Sequence, residues 1–377
     1  MKLFTCPACS QPLYFEAASC ASCGVRLGYA ARRNTFLAVY LENGQWRTRG
    51  ADDHEQPLCV NAEHEACNWL VPAGDDNAFC LACRHNRMIP DLSIPKNLTH
   101  WRKIEHAKHR LFYTLLRERL PLVTRQESEN GLAFDFLAST GSAAERVMTG
   151  HASGLITLNV AEAEDAERER QRHAMQEPYR TLLGHFRHEI AHYYWDRLLR
   201  DSDVLAPFRA LFGDERVDYG EALKRHYAEG PPADWPERFI TSYASAHPWE
   251  DWAETWAHYF HMVDTVETAA EFGLGLDPKR QTGTDLSTVV DFDPHFADID
   301  RIIDAWLPLT FALNSINRSM GMADLYPFQL APAVIWKLAF IHDCIRGHCA
   351  VIAGEDPALR AVIAGLKRSV GSPPLAG

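Results

Sequence analysis

Several things are scarce in this chain of 377 residues. No uninterrupted apolar stretch reaches the roughly 20 residues that a membrane-spanning helix needs, so a helical membrane protein is excluded. Positive charge is in deficit: 38 Lys and Arg stand against 50 Asp and Glu, a formal net charge of -12, with no long basic tract. A polyanion would gain little general electrostatic help, so nucleic acid is not an expected partner. No internal repeat is present, which argues against a solenoid. The N-terminus carries no signal-peptide core, and with paired cysteine knuckles close behind it the expected setting is the reducing cytoplasm. Cysteine nearly vanishes after residue 83. Cys344 and Cys349 follow, near His342 and His348, and read as reduced buried thiols rather than as a third metal cluster.

What is there begins with the other eight cysteines. Cys6-Pro7-Ala8-Cys9 and Cys20-Ala21-Ser22-Cys23 are two Cys-x-x-Cys knuckles separated by ten residues. Four thiolates at that spacing make a closed tetrahedral zinc site, and Gly24 suits the tight turn behind it. Cys80-Leu81-Ala82-Cys83 is a further knuckle. Its partner pair, Cys59 and Cys67, is wider, with seven residues between. Four cysteines are the favoured donors of this second structural zinc, with His54, His64 and His85 as substitutes or neighbours. Such ribbons hold a small domain together or present a protein-binding surface, and the acidic balance favours these roles over nucleic-acid contact.

The other chemical signal is His188-Glu189-Ile190-Ala191-His192. Two histidines four apart lie on one face of a helix, so both imidazoles can reach one zinc. Glu189 between them is placed to act as general base towards an attacking water. Leu182, Leu183, Phe186, Ile190, Tyr193, Tyr194 and Leu198 keep helical spacing around the motif, and Pro178 suits the first turn. A catalytic zinc needs three protein ligands and an open position. No histidine follows at short spacing, so the best source of the third is residues 242–256. There Pro248 opens a helix, and Glu250 and Glu254 share a face. Glu250, Asp251 and Glu254 are the candidates there. Acidic residues favoured by the helix dipole are the plain structural explanation of all three. Asp196 or Glu254 could orient an imidazole.

Ser242 to Trp256 is similar to the second zinc helix of glutamate-ligand zincins such as the anthrax lethal toxin catalytic domain. There a Ser-Tyr pair precedes a glutamate ligand in a Glu-aromatic-aromatic-Ala-Glu helix. The resemblance implies Glu250 as the ligand, Glu254 behind it, and Tyr243 beside the scissile carbonyl. From that place the Tyr243 phenol would donate to the oxyanion, with core packing as its alternative. Asp251 departs from the pattern, which has an aromatic residue at that place. Nearly the whole chain resembles a bacterial family of zinc-binding metallopeptidases with an N-terminal zinc-ribbon region. The phrases that carry this include Cys67-Asn68-Trp69-Leu70-Val71, Asn86-Arg87-Met88-Ile89-Pro90-Asp91-Leu92 and Tyr219-Gly220-Glu221-Ala222-Leu223. The family implies a zincin fold and proteolysis. It also implies that Gly154–Val160 is an edge strand pairing with an extended peptide, an internal strand being the alternative.

The expected fold class is α+β: an N-terminal zinc-ribbon region, then a mostly helical zincin-like domain with a small sheet. Residues 1–90 read as the ribbon region, 91–120 as a linker with an amphipathic helix, and 121–370 as the metallopeptidase domain. Strands are expected at Leu13–Tyr14, Thr35–Tyr40, Leu132–Leu137 and Leu155–Val160, and a helix from Trp101 to about Arg119. The cofactor is zinc, one catalytic and one or two structural. The expected activity is peptide-bond hydrolysis on a peptide or protein substrate. Two other readings stand beside it: a ribbon-centred protein-interaction or regulatory module with an inactive or narrowly specific zincin domain, and a non-peptide amide hydrolase.

Overall fold

A computed structural model of the chain describes residues 1–48, 56–139, 147, 149–175, 180–280 and 283–352. His54 and Pro178 lie outside the described residues, as do the side chains of His348 and Cys349. The described chain is an N-terminal cysteine-cluster region followed by a mostly helical region with a small mixed sheet, an α+β fold.

The N-terminal part is built from short strands and turns. Strands β1 (Phe4–Thr5) and β2 (Pro12–Leu13) pair antiparallel, followed by a meander of β3 (Arg26–Ala30), β4 (Thr35–Glu42) and β5 (Gln45–Thr48). Asn43 and Gly44 join β4 to β5, both with positive φ (50° and 79°). That two-residue turn matches the twist of paired strands, and Asn-Gly is the sequence that reaches it most cheaply. β6 (Asn86–Met88) then leads out of the cysteine region, and helix α1 (Pro95–Arg117) starts with Pro95 in its first turn. Trp101, Ile104, Leu111, Phe112 and Leu115 recur at helical spacing on α1 and are fully buried.

The sheet adds β7 (Ala133–Leu137), β8 (Gly150–Ala152) and β9 (Leu155–Asn159), in the order β6-β7-β9-β8. β6, β7 and β9 run parallel, and β8 is antiparallel to β9. This corrects the edge-strand expectation for Gly154–Val160. β9 is internal, and β8 is the outer strand among the described residues. The reason is the turn at Ser153 and Gly154, both at positive φ (47° and 81°), which folds β8 back onto β9. A Cβ on Gly154 would lie 2.5 Å from the Asn130 carbonyl oxygen, so the turn also requires glycine sterically.

Helices α2 (Asp165–Met175), α3 (Leu182–Leu198), α4 (Leu205–Phe212), α5 (Tyr219–Glu229), α6 (Trp235–Arg238) and α7 (Pro248–Glu271) follow. Two short strands, β10 (Gly275–Leu276) and β11 (Thr288–Val289), pair with each other before α8 (Ile299–Ser319) and α9 (Pro332–Ile352). No described helix is long and apolar enough to cross a membrane. Asn314, Asn317 and Arg318 hold the loop that follows α8: Asn314 bonds the Tyr326 backbone, Asn317 the Ala323 carbonyl, and Arg318 pairs with Asp324.

Candidate metal centre

Helices α3 and α7 pack side by side, and their ends are set by local chemistry. α3 begins where the Thr181 hydroxyl accepts from the Gly184 amide at 2.9 Å. α7 begins with Pro248, and the His247 ring accepts from the Trp249 amide at 3.1 Å. Between the helices, Tyr194 and Trp256 stack with ring centroids 5.4 Å apart. The Trp252 indole donates to the Ala191 carbonyl at 2.9 Å, one residue before His192. That bond fixes the register of one helix against the other at the site itself.

The register brings His188, His192 and Glu250 together. His188 Nε2 lies 3.3 Å from His192 Nε2 and 3.1 Å from Glu250 Oε2, and His192 Nε2 lies 3.7 Å from Glu250 Oε1. Glu250 is 1% exposed, and its Oε2 makes no hydrogen bond of proper geometry. Such a buried carboxylate oxygen, facing two imidazole nitrogens, is costly unless a cation occupies the space between them. His188 Nδ1 lies 2.7 Å from Glu254 Oε1, so it carries the ring proton and Nε2 is left as a lone pair. Thr241 donates to Glu254 Oε2 at 2.8 Å and holds that carboxylate in place. The donor set therefore fits a divalent metal: two neutral imidazoles, one carboxylate, and a second carboxylate behind one ring.

Electrostatics agree. Burial pushes the Glu250 carboxyl up, but His188, His192 and Tyr219 together pull it down to about 2. Burial disfavours charge on His188, and Glu250 and Glu254 more than offset it, raising its pKa well above the usual value, so without a metal Nε2 is held protonated towards Glu250 and a metal would take the place of that proton. Two carboxylates thus surround one cation at this place, which is the charge balance a bound metal also satisfies.

Other candidates sit as follows. Glu189 is buried on α3 between the two histidines. The Tyr243 ring lies 6.1 Å from the His188 ring, and burial, then Glu250, raise its pKa so that it remains a proton donor. Asp251 faces away from the cluster and pairs with Lys337 at 2.6 Å. Asp196 pairs with Arg200 at 2.6 Å, so the orienting carboxylate behind His188 is Glu254. Sequence reasoning missed two neighbours. The Tyr219 hydroxyl donates to Glu250 Oε1 at 2.7 Å, and the His151 ring on β8 stacks on the His192 ring at 6.2 Å. Tyr219 lies in one of the phrases that carried the family resemblance, and that was its single signal.

The cysteines form two compact sets. Cys6, Cys9, Cys20 and Cys23 have sulfurs within 4.8 Å of one another, as do Cys59, Cys67, Cys80 and Cys83. Backbone amides point at the sulfurs, Ala8 to Cys6 at 3.4 Å and Cys83 to Cys80 at 3.4 Å, as knuckle turns require. Both sets can hold a metal ion. His64 and His85 stay out of the second one: His64 packs on Trp101, and His85 Nδ1 lies 2.9 Å from the Leu132 carbonyl oxygen. A further set, Asp264, Glu267 and His295, has its two carboxylates paired with Arg187 and Arg117. The cavity lined by His261, Trp306 and Tyr326 lies along the far half of α7, and eleven helical residues put His261 about 16 Å from Glu250.

The family described as "Putative zinc-binding metallo-peptidase" matches residues 97–344, and a zinc-ribbon domain family matches residues 3–94. Uncharacterized proteins of Mycobacterium bovis and Mycobacterium tuberculosis are each 45% identical to it over 350 residues, covering 92% of this chain and 95% of theirs. No solved structure matches.

Proposed function

The chain belongs to this zinc-binding metallo-peptidase family, and from that premise we propose that it is a zinc-dependent peptide-bond hydrolase. His188, His192 and Glu250 would hold the catalytic zinc, and the resemblance to glutamate-ligand zincins supports Glu250 as the third ligand. The observation that carries the reading is the convergence of two imidazole nitrogens on a buried carboxylate with an unbonded oxygen. Zinc held there supplies Lewis-acid polarisation of the scissile carbonyl and of the attacking water.

The chain's own residues do the rest. Glu189 takes a proton from the water as its oxygen adds to the carbonyl carbon, then delivers that proton to the leaving amine as the C–N bond breaks. Tyr243 donates a hydrogen bond to the developing oxyanion. Tyr219 holds the Glu250 carboxylate, and Glu254 fixes the His188 tautomer. An extended peptide would pair along β8, whose His151 stacks on His192. That outer strand favours a peptide over a small amide. In the same reading, Cys6, Cys9, Cys20 and Cys23 hold one structural zinc, and Cys59, Cys67, Cys80 and Cys83 supply the second. Residues 1–90 are the ribbon region, 91–120 the linker and helix, and 121–370 the peptidase domain. The ribbons are assigned a structural or protein-binding role in a cytoplasmic protein.

Zinc content measured beside cleavage of a peptide library, in the natural chain and in Glu189→Gln, tests the proposal. The expected result is about three zincs per chain in both, with cleavage in the natural chain alone. About two zincs and no cleavage would sink it. Equal cleavage by both proteins would remove Glu189 from the mechanism.

A further inference from the structure

The second cysteine cluster has more donors beside it than a tetrahedral metal takes, and one of them, the Glu105 carboxylate 3.6 Å from Cys83 Sγ, is already held by Lys108 and Asn86. Besides its four sulfurs, His109 of α1 points Nε2 into it, 3.2 Å from Cys67 Sγ, 3.6 Å from Cys83 Sγ and 3.9 Å from Cys80 Sγ. Nδ1 of the same ring lies 2.6 Å from the Glu105 carbonyl oxygen. A carbonyl oxygen can only accept, so Nδ1 carries the proton, and in the neutral ring Nε2 keeps a lone pair aimed at three sulfurs. Metal-bound histidines are held this way, with the distal N–H given to a carbonyl. The ring is 3% exposed and packs against Trp69 at 5.0 Å.

Distances favour His109 as a ligand. Zinc–sulfur bonds of about 2.3 Å and zinc–nitrogen bonds of about 2.0 Å, at tetrahedral angles, put sulfurs about 3.8 Å apart and nitrogen about 3.5 Å from sulfur. Cys67 Sγ and Cys80 Sγ are 3.7 Å apart, and the three nitrogen–sulfur distances bracket the second value. Charge points the same way. All four cysteines are buried, with exposures of 1% at Cys59, 5% at Cys67, 0% at Cys80 and 1% at Cys83. Zinc with four thiolates carries a charge of about -2 in that setting, and with three thiolates and an imidazole about -1, which costs less to bury. Lys108 lies close enough to feel Cys80 and Cys83, but it is fully buried in a pair with Glu105 at 2.9 Å, so the pair brings no net positive charge to the cluster.

We propose that His109 is a ligand of the second structural metal beside Cys67, Cys80 and Cys83, the three sulfurs its Nε2 contacts; Cys59 Sγ stays within 4.8 Å of the other three sulfurs and is the thiol His109 would displace from the shell. The inference rests on the reading that this cluster holds a metal. Its consequence is mechanical. The cysteines belong to the stretch matched by the zinc ribbon, and His109 to the stretch matched by the peptidase, so one metal would bond the two together. α1 packs directly on α3, which carries His188 and His192.

Cadmium NMR of the full chain, with zinc replaced by cadmium and the histidine ring nitrogens isotopically labelled, tests this without any variant. Cadmium bound by four sulfurs resonates downfield of cadmium bound by three sulfurs and one nitrogen, and both lie well downfield of a nitrogen–oxygen site. The expected spectrum has one resonance of each sulfur-rich kind, the second split by coupling to an imidazole nitrogen. Two unsplit four-sulfur resonances would overturn the role of His109 and leave the metal site standing. A single sulfur-rich resonance would overturn both. The variants add a second readout, zinc retained against a chelator. Cys59→Ala is expected to hold its second structural zinc, and His109→Asn to release it at least tenfold faster. The reverse order would overturn the proposal.

Discussion

Glu250 illustrates how a single carboxylate is divided between two tasks. Oε2 faces the imidazoles, while Oε1 accepts from Tyr219 at 2.7 Å. Burial, and then Glu250 itself, push the Tyr219 phenol well above its usual pKa, so it stays a donor across the working pH range. A hydrogen bond to a charged group is worth about 1.5–3 kcal/mol. Tyr219→Phe removes that donor and leaves the ring in place. We expect zinc at His188, His192 and Glu250 to bind roughly ten- to a hundredfold more weakly, measured by competition with a chromogenic chelator. An unchanged affinity would show that the carboxylate needs no such support. This residue also marks where the sequence stops being readable. The i, i+4 spacing of His188 and His192 is local geometry, so a helix brings them to one face wherever it lies. Glu250 could be named only with the help of a family pattern. Tyr219 is 31 residues before Glu250, and His109 is 42 after Cys67. Their roles exist only once the helices have docked, and no spacing rule expresses that.

Among the elements, the parts with the strongest local signals are also the ones that periodicity and turn chemistry anticipate. α1 shows its buried face as a 3.6-residue pattern, and β7 and β9 are short apolar runs. What decides the order of the sheet is the Ser153–Gly154 turn, whose effect is to put β8 outside β9. A strand pattern alone does not say which neighbour it will have. The joint between α1, α7 and the turn at Pro294–Phe296 depends on one buried histidine. His295 Nδ1 lies 2.9 Å from Glu118 Oε1, and its Nε2 lies 3.4 Å from Glu267 Oε1 without the alignment of a hydrogen bond. Burial lowers the His295 pKa, but Glu118 and then Glu267 outweigh it and raise it to about 9. A raised folded-state pKa means that the charged form is favoured by folding. The stabilisation is therefore complete below the unfolded value of about 6.5 and is lost as pH rises through about 9. Its size is on the order of 3 kcal/mol. Urea unfolding of the natural chain and of His295→Gln should differ by an amount that shrinks between pH 6.5 and 9.5. A difference that stays constant over that window would place the stabilisation in packing instead of charge.

At the scale of the molecule, the ribbon region and the helices share one core. Phe4, Phe15, Tyr29, Phe36 and Trp69 from the first 70 residues form one continuous buried cluster with Trp101, Phe112 and Tyr113 of α1 and with the helices behind it. Phe15 meets Tyr113 edge to face at 5.4 Å, and Tyr113 in turn donates to both carboxylate oxygens of Glu267 on α7 at 2.9 Å. A chain that folds two independent cores unfolds in two steps, whereas a shared core favours one cooperative transition. Removing the Phe15 ring should cost about 3–5 kcal/mol, because the surrounding aromatic side chains can only partly close the cavity. If the core is continuous, that cost is paid by the whole molecule. Phe15→Ala should then lower the midpoint of the far-ultraviolet helix signal by several degrees, although almost all helix lies after residue 94. A chain of residues 91–377 should be poorly soluble, with the Trp101 and Tyr113 face of α1 uncovered. The outcome that would break this argument is a helical transition unmoved by Phe15→Ala, together with a soluble 91–377 fragment of unchanged midpoint. The ribbon would then be an appended domain, and its packing against α1 would contribute nothing to the stability of the helices that carry His188, His192 and Glu250.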